Sequence, residues 1–600
     1  MEELQDAIED AQYMNAMQDD TPKPTKEWKK VSTEEREAYV STVTSKRPEA
    51  FSAESVCSGS LGLYLFTKYV KTSGDGHLGE FIMEVANFRV LPTHIRMDNA
   101  LTTKDFYLTP GSKGNPNAPK HPYLTRIIKP SKSNSISSEL IENPLQYIHT
   151  SEIKANILHI SGEPLDTVLS FLNSQDTNRK KRTAEASKDL FDKLDYIVFH
   201  YLKEKHFENF KNSPLWIKYL DFMCLSEQNV TEHDFTLFRV LGRGGFGLVN
   251  GCKKSTTGKL YAMKMMNKKR IKMRKSEALC MNERNICCLL DSRFIVCLKY
   301  AFQTPSDLYL ILDLMTGGDL GYHLCRKGRF TEAESKYYSA RILLGIAAMH
   351  EQEIVYRDLK PENILMEDDG RVKISDLGLA CRVPSGGLTG TCGTRGYWAP
   401  EMLRRDSSGR KIKYNKAVDW FSFGCVVFEF LYGSSPFRSE RAKTWGGHDK
   451  KEKEKAMDQA TLEMDPEYPS FFDEKVKDLC RKLLDKDGTT RLGARGASEI
   501  MSHPWFADLD WEDIIGDRTP PPSKPPKDIN MATQSEIGAF ADDKQSKKIE
   551  LTEADQKNYD GWEFVSQRAF QEEIVQFMRY EDIAGPITPQ IQSNGCCVIS

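Results

Sequence analysis

The chain contains no apolar run approaching the roughly 20 residues that a bilayer-spanning helix requires. Its start, Met1-Glu2-Glu3-Leu4, is acidic and lacks the apolar core of a secretory signal. The 14 cysteines include no CxxC pair and no regular spacing, which argues against a zinc site and against a disulfide framework. They read as the reduced thiols of an intracellular protein. A dominant charge of one sign is also missing. The 83 Lys and Arg nearly balance the 86 Asp and Glu, for a net charge of −3, so no overall field points to nucleic acid. What is present is a composition 39% hydrophobic and 28% charged, that of globular domains. At about 100–200 residues per domain, 600 residues predict three domains or so.

Residues 1–18 space Leu4, Ile8, Ala11 and Met14 three or four apart, which predicts a short amphipathic helix within 1–20. Such a helix is marginal alone in water. It reads either as a frayed terminus or as a segment that orders on a partner. Leu61, Leu65 and Tyr69, then Leu78, Phe81, Ile82 and Val85, mark buried helix faces. The pattern resumes at Leu165, Val168, Leu169 and Leu172 and again at Leu190, Leu194, Ile197 and Val198. Residues 50–225 are therefore expected to form an all-helical bundle, interrupted at about 92–155 by a polar insertion rich in Pro, Ser and Asn. The run Arg179-Lys180-Lys181-Arg182 reads most simply as a solvated loop, with a nuclear or phosphate-binding role as the alternative. At Phe235 the period changes. Strands come first and helices after over 235–506, the order of a two-lobed α+β domain. A tail follows over 507–575, extended at Thr519-Pro520-Pro521-Pro522 and with Ile537, Phe540, Trp562 and Phe564 as packing anchors. Phe570, Ile574, Phe577 and Met578 suggest one last short helix, and 576–600 form a terminal segment.

The chemistry concentrates in the α+β part. Leu241-Gly242-Arg243-Gly244-Gly245-Phe246-Gly247-Leu248-Val249 carries GxGxxG between two strands. A helix would follow in a dinucleotide site; a second strand favours a flap over nucleotide phosphates. Lys264 lies in the third strand and Glu283 in a helical stretch beyond it. A lysine that reaches the α and β phosphates needs a carboxylate to hold its long stem. Leu312-Asp313-Leu314-Met315 is the expected hinge, its backbone groups facing adenine, with Val249, Ala262 and Leu365 enclosing the ring. In Tyr356-Arg357-Asp358-Leu359-Lys360-Pro361-Glu362-Asn363, Asp358 is placed to accept a hydroxyl proton and Lys360 to steady the γ-phosphoryl group. Asn363 and Asp376 are the expected ligands of Mg2+, and ATP the expected cofactor. Ala399-Pro400-Glu401 closes the following segment, with Glu401 expected to pair with Arg491.

These motifs resemble a protein kinase of the AGC group. Asp376-Leu377-Gly378-Leu379-Ala380-Cys381, Lys268-Lys269-Arg270-Ile271-Lys272-Met273 and Ile311-Leu312-Asp313-Leu314-Met315 look more narrowly like the G protein-coupled receptor kinase family. Tyr356 and Leu377 stand where protein kinases usually carry His and Phe, and both substitutions keep packing without removing chemistry. Gly390 occupies the position of the usual activating phosphothreonine, so activity is expected not to depend on phosphorylation of this loop. The resemblance implies a two-lobed kinase domain joined to a bundle of the regulator-of-G-protein-signalling homology type. It also implies a receptor-docking role for the first residues.

The last residues, Cys596-Cys597-Val598-Ile599-Ser600, read as a prenylation signal on Cys597, its terminal Ser pointing to farnesyl. One chain gives only reversible membrane binding, and Cys596 offers a second acylation site. The expected location is thus the cytoplasm and the cytoplasmic face of membranes. Three functions fit these residues. One is a Ser/Thr kinase of activated heptahelical receptors, with the lipid anchor raising the local concentration of substrate. Another is a Ser/Thr kinase of other proteins. The third is a scaffold whose bundle binds a G protein α subunit, with kinase activity secondary.

Overall fold

The computed structural model describes residues 21–90, 108, 163–174, 189–447, 452–525, 549–587 and 589. The expected helix of 1–20, the insertion of 92–155 apart from residue 108, and the run Arg179 to Arg182 lie outside these residues. So do Ile537, Phe540, Cys596 and Cys597. The chain divides into two compact units, one containing 230–253 and 260–564, the other 20–229, 254–259 and 565–600.

In the first unit, β1 (Phe235–Arg243), β2 (Gly247–Lys254), β3 (Leu260–Asn267), β4 (Leu298–Gln303) and β5 (Asp307–Leu312) form one sheet. Its order is β1-β2-β3-β5-β4, and Phe564 adds a short strand at the β4 edge. The central strands are apolar on both faces, as Met263, Met266, Leu308, Leu310 and Ile311 are all buried. The helix Glu277–Leu289 turns Cys280, Glu283, Ile286 and Cys287 inward at helical spacing, which carries one carboxylate into an otherwise apolar stripe.

Helices dominate the rest of this unit. Glu332–Glu351 begins with a capping box between Thr331 and Glu334. Ala417–Tyr432 is buried along nearly its whole circumference and ends on Gly433 at φ 101°. A helix apolar all round must sit at the centre of a core, and Trp420, Phe421, Phe423 and Phe430 do so. The hairpin Ile364–Met366 with Val372–Ile374 lies on one side of the catalytic segment. The tail passes so close to Gly370, at φ 98°, that an added Cβ would meet Ser523 O at 2.0 Å, and Ser523 shares a 2.9 Å hydrogen bond with Tyr338.

Among the described residues the second unit is built of helices, apart from the strand ends Lys254 and Val565. Its longer helices are Ser60–Thr72, Gly76–Val90, Glu163–Asn173, Asp192–Lys211 and Pro214–Ser226. Phe66, Phe207, Phe210 and Trp216 meet in an aromatic cluster with centroid separations of 5.4–6.2 Å. Two features depart from the sequence reading. Thr33–Lys46 is a helix whose signal, the capping box Ser32-x-x-Glu35, was present but has no apolar stripe beside it. And the boundary expected at 575/576 falls inside one 18-residue helix, Gln567–Ala584. Ile574, Val575, Phe577 and Met578 form a single buried stripe across it, so packing continues where a separate terminal segment was expected. The same helix buries Glu573, which takes Lys254 at 3.3 Å and the Thr257 hydroxyl.

Candidate active site

The glycine loop joins β1 to β2, with Gly244 N–H donating to Gly247 O at 2.9 Å. Gly247 is required by close approach: a Cβ there would lie 1.7 Å from Met265 O. Gly244 and Gly245 are exposed, and Leu241, Gly242, Phe246, Leu248 and Val249 are half-buried. This strip carries exposed backbone N–H groups suited to phosphate oxygens. Arg243 is exposed at its edge.

Across the sheet, register places Val249 opposite Lys264 and Gly251 opposite Ala262. Lys264 Nζ meets Glu283 Oε1 at 2.5 Å. Burial opposes the lysine's charge, but the carboxylates of Glu283 and Asp376 outweigh it and hold the pKa above the ordinary lysine value. The ammonium is therefore fixed in charge and place. Glu283→Gln is expected to release the Lys264 stem and lower kcat/KM for ATP by about 10–10²-fold, read from steady-state titrations of ATP. An unchanged value would mean that the pair is only structural.

At the hinge, Ala262 is buried while Leu365 and Met315 are half-buried. The hinge reading of Asp313 concerns its backbone, and its side chain is used elsewhere. Its carboxylate is committed to Lys299 at 2.9 Å, Lys373 at 3.4 Å and the N–H of Cys297 at 3.0 Å. Burial would raise its pKa, but the two lysines and that N–H bring it down to about 2. Its own N–H goes to Cys297 O. The side chain thus braces the hinge, and only the carbonyl is left to face a ligand.

The catalytic loop is anchored from beneath by Asp419, which is fully buried. Its carboxylate accepts the N–H of Tyr356 at 2.9 Å and of Arg357 at 2.8 Å, and pairs with His350 at 2.8 Å. The sequence reading missed it; the available signal was a lone acid in the apolar run Ala417-Val418-Asp419-Trp420. Tyr356 is buried, and its hydroxyl donates to Ser375 O at 2.6 Å. That bond ties the loop to the residue before Asp376.

Asp358, Lys360 and Asn363 come together above this base. Asp358 accepts from Asn363 Nδ2 at 3.0 Å and from Thr394 Oγ1 at 2.7 Å. Lys360 Nζ lies 3.1 Å from Asp358 and donates to Thr394 at 2.9 Å. Thr394 was also missed, because nothing local in Cys392-Gly393-Thr394 separates it from its neighbours. Asn363 spends its amide N–H groups on Asp358, which leaves its carbonyl oxygen as a cation ligand. Asp376 is exposed at φ 52°, accepting Gly378 N–H at 3.3 Å. A non-glycine residue in the left-handed region is strained, and here it presents a carboxylate to the cleft. One carboxylate and one amide oxygen fit Mg2+, which takes hard oxygen ligands and leaves the rest to phosphate and water.

The activation segment is held without a phosphate, by hydroxyl and carbonyl hydrogen bonds and by ion pairs of Arg395 and Glu401. Gly390 sits at φ 95°. Thr391 Oγ1 donates to Met402 O at 2.9 Å and accepts from Lys411 at 2.9 Å. The Arg357 guanidinium, which could receive a phosphate, instead donates twice to Leu379 O, at 2.9 and 2.8 Å. Glu401 and Arg491 form a buried two-pronged pair at 2.7 and 2.9 Å.

A sheet-rich lobe with a glycine flap and Lys–Glu pair, facing a helical lobe with a carboxylate–lysine–amide loop, defines a protein kinase domain. Residues 235–506 match the protein kinase domain family. The human protein named "Beta-adrenergic receptor kinase 1" is 41% identical over 396 residues, 65% of this chain and 55% of that protein. "G protein-coupled receptor kinase 2" of Caenorhabditis elegans is 41% identical over 397 residues, 65% of this chain and 54% of that protein. "G protein-coupled receptor kinase 4" of Rattus norvegicus is 38% identical over 366 residues, 60% of this chain and 61% of that protein. In the matched part the chain carries a protein kinase domain and is similar to these receptor kinases. It spans a little over half the length of these relatives.

Proposed function

We propose that the chain is a Ser/Thr protein kinase that transfers the γ-phosphoryl group of ATP to activated heptahelical receptors at the cytoplasmic face of a membrane. The observation that supports this most is the joint presence of Lys264–Glu283 at 2.5 Å and of Asp358, Lys360 and Asn363 within hydrogen-bonding reach of one another. Asp358 accepts the proton of the attacking hydroxyl, and Thr394 and Asn363 orient its carboxylate for that purpose. Lys360 supplies positive charge where the transferred group gains negative charge. Lys264 positions the α and β phosphates, while the glycine loop excludes water above them. Asn363 and Asp376 would hold Mg2+, which neutralises phosphate charge when bound. The receptor substrate rests on the relatives, two of which are named for receptor kinase activity in general and one for a β-adrenergic receptor. The all-helical unit is assigned to the regulator-of-G-protein-signalling homology type. Cys597 is proposed as the prenylated residue, with Cys596 beside it as a second acylation site.

The test uses a heptahelical receptor in membranes, labelled ATP and the full chain. Agonist-bound receptor is expected to be phosphorylated faster than the inverse-agonist form, and Cys597→Ser to lose most membrane partitioning and much of that rate. Equal phosphorylation of both receptor states would favour a kinase of other proteins. Signalling suppression that survives in Asp358→Asn would favour the G protein-binding scaffold.

A further inference from the structure

Thr394, whose hydroxyl bridges Asp358 and Lys360, belongs to a stretch with little stiffness of its own. Gly393 and Gly396 bracket Thr394-Arg395 and sit at φ 89° and 93°. Close approach requires both: an added Cβ would lie 2.2 Å from Arg357 O at the first and 2.2 Å from Arg438 Cγ at the second. Glycine loosens the backbone on either side, so the dipeptide must be held through its side chains. Thr394 is held by the catalytic loop, and Arg395 by a different element.

That element is the helix Lys453–Glu463. Arg395 Nε and Nη2 donate to Asp458 at 2.8 and 3.4 Å, and Nη1 pairs with Glu454. The guanidinium carbon also lies 5.0 Å from the centroid of the Trp398 ring. Glu454 and Asp458 stand four residues apart on one helix face, where like charges repel. A planar guanidinium between them converts that repulsion into attraction from both sides. The Arg395 and Asp458 side chains are only 29% and 30% exposed, so water screens the contact less than it would an open surface pair. The helix is itself tied to the core. Ala456, Ala460 and Thr461 are buried, and Thr461 O accepts from Lys486 Nζ at 2.8 Å. Lys486 Nζ lies 4.3 Å from the Phe437 centroid, and Phe437 stacks on Phe421 of the central helix at 5.5 Å. Contacts thus run without a break from the core of the helical lobe, through Asp458 and Arg395, to the residue that orients the reacting carboxylate.

We infer that Arg395 is a positioning residue for the phosphoacceptor site: clamped by Glu454 and Asp458, it holds Thr394 against Asp358 and Lys360 and so fixes the direction in which the carboxylate meets the attacking hydroxyl. The inference rests on the kinase reading above. Misplacement by about 1 Å can cost on the order of 10²-fold in rate, so a clamp outside the reacting groups carries weight. Nucleotide binding rests on the glycine loop, Lys264 and the hinge, and is left intact when the clamp is opened.

The experiment follows phosphorylation of an acceptor peptide by the full chain, in the steady state and in single turnovers. Arg395→Ala is expected to lower kcat about 10-fold, with KM for ATP and the melting temperature unchanged. Arg395→Lys keeps the charge without the fork and should fall between the two. Thr394→Ala removes the bridge through which Arg395 acts, so in that background Arg395→Ala should cost less than about twofold. A purely structural role would lower the melting temperature and multiply its loss with that of Thr394→Ala. Should Arg395→Ala fail to fold, Asp458→Asn, which leaves Arg395 its contact with Glu454, carries the same comparison with a smaller loss in kcat. Full activity in these variants, or a loss that multiplies with that of Thr394→Ala, overturns the inference alone. A wild-type chain that transfers phosphate neither to peptide nor to receptor overturns the kinase reading and this inference with it.

Discussion

Asp358→Asn is expected to slow phosphoryl transfer by about 10²–10⁴-fold, the usual contribution of a positioned general base. The substitution is nearly isosteric. Asn keeps one acceptor oxygen for Asn363, which now donates to Oδ2 at 3.0 Å, and its amide N–H can donate to the Thr394 hydroxyl, which now donates to Oδ1 at 2.7 Å, so the loop should keep its shape. What it loses is the capacity to take the hydroxyl proton, together with the negative charge that pairs with Lys360 at 3.1 Å. The loss should therefore fall on kcat, with ATP affinity little changed, and single-turnover measurements separate the two. A variant within about threefold of wild type would remove Asp358 from the proton-accepting role.

The largest effect on stability is expected at Arg491. Its side chain is fully buried and makes the two-pronged pair with Glu401, a 2.8 Å hydrogen bond to Ala417 O and a 3.0 Å hydrogen bond to Asp485 O. It also lies over the Phe421 ring at 5.0 Å. Arg491→Ala leaves the Glu401 carboxylate without its partner in a low-dielectric interior, and breaking a buried pair from one side costs about 3–5 kcal/mol. Thermal melts should show a drop on the order of 10 °C for a domain of this size. Arg491→Lys should recover only part of that, since an ammonium cannot reproduce the planar fork. Removing both charges with apolar residues of similar volume should cost less than Arg491→Ala. If Arg491→Ala melted with the wild type, Glu401 would have to be solvated.

These two residues also differ in how they could be read. Asp358, Lys360, Asn363 and Asp376 were legible because phosphoryl transfer demands those side chains at short spacings on one loop and the strand after it. Lys264 and Glu283 were legible only through the motifs on either side, since a sequence separation of 19 carries no distance information. Asp419 and Thr394 were not read at all. Each acts on the loop from a distant part of the chain, 61 residues for Asp419 and 36 for Thr394 counted from Asp358. Asp313 was read as a nucleotide contact through its backbone; that its carboxylate serves Lys299 and Lys373 was not legible. The helix Gln567–Ala584 was underestimated because its exposed face is charged and its buried stripe continues past the point where the tail was expected to end.

By itself the sequence determined the class of chemistry, the alternation from helices to strands to helices, and which loop carries the reacting groups. Those follow from local rules: side-chain periodicity, glycine where backbone must approach backbone, and acids and bases clustered in one segment. The tertiary structure decided which charges meet across the chain. Whether Glu283 reaches Lys264 and whether the Asp313 carboxylate meets a lysine pair depend on where separate elements pack. Coulombic and hydrogen-bond energies act over a few ångströms of space and are blind to sequence separation, so those pairings exist only once the core has brought the elements together.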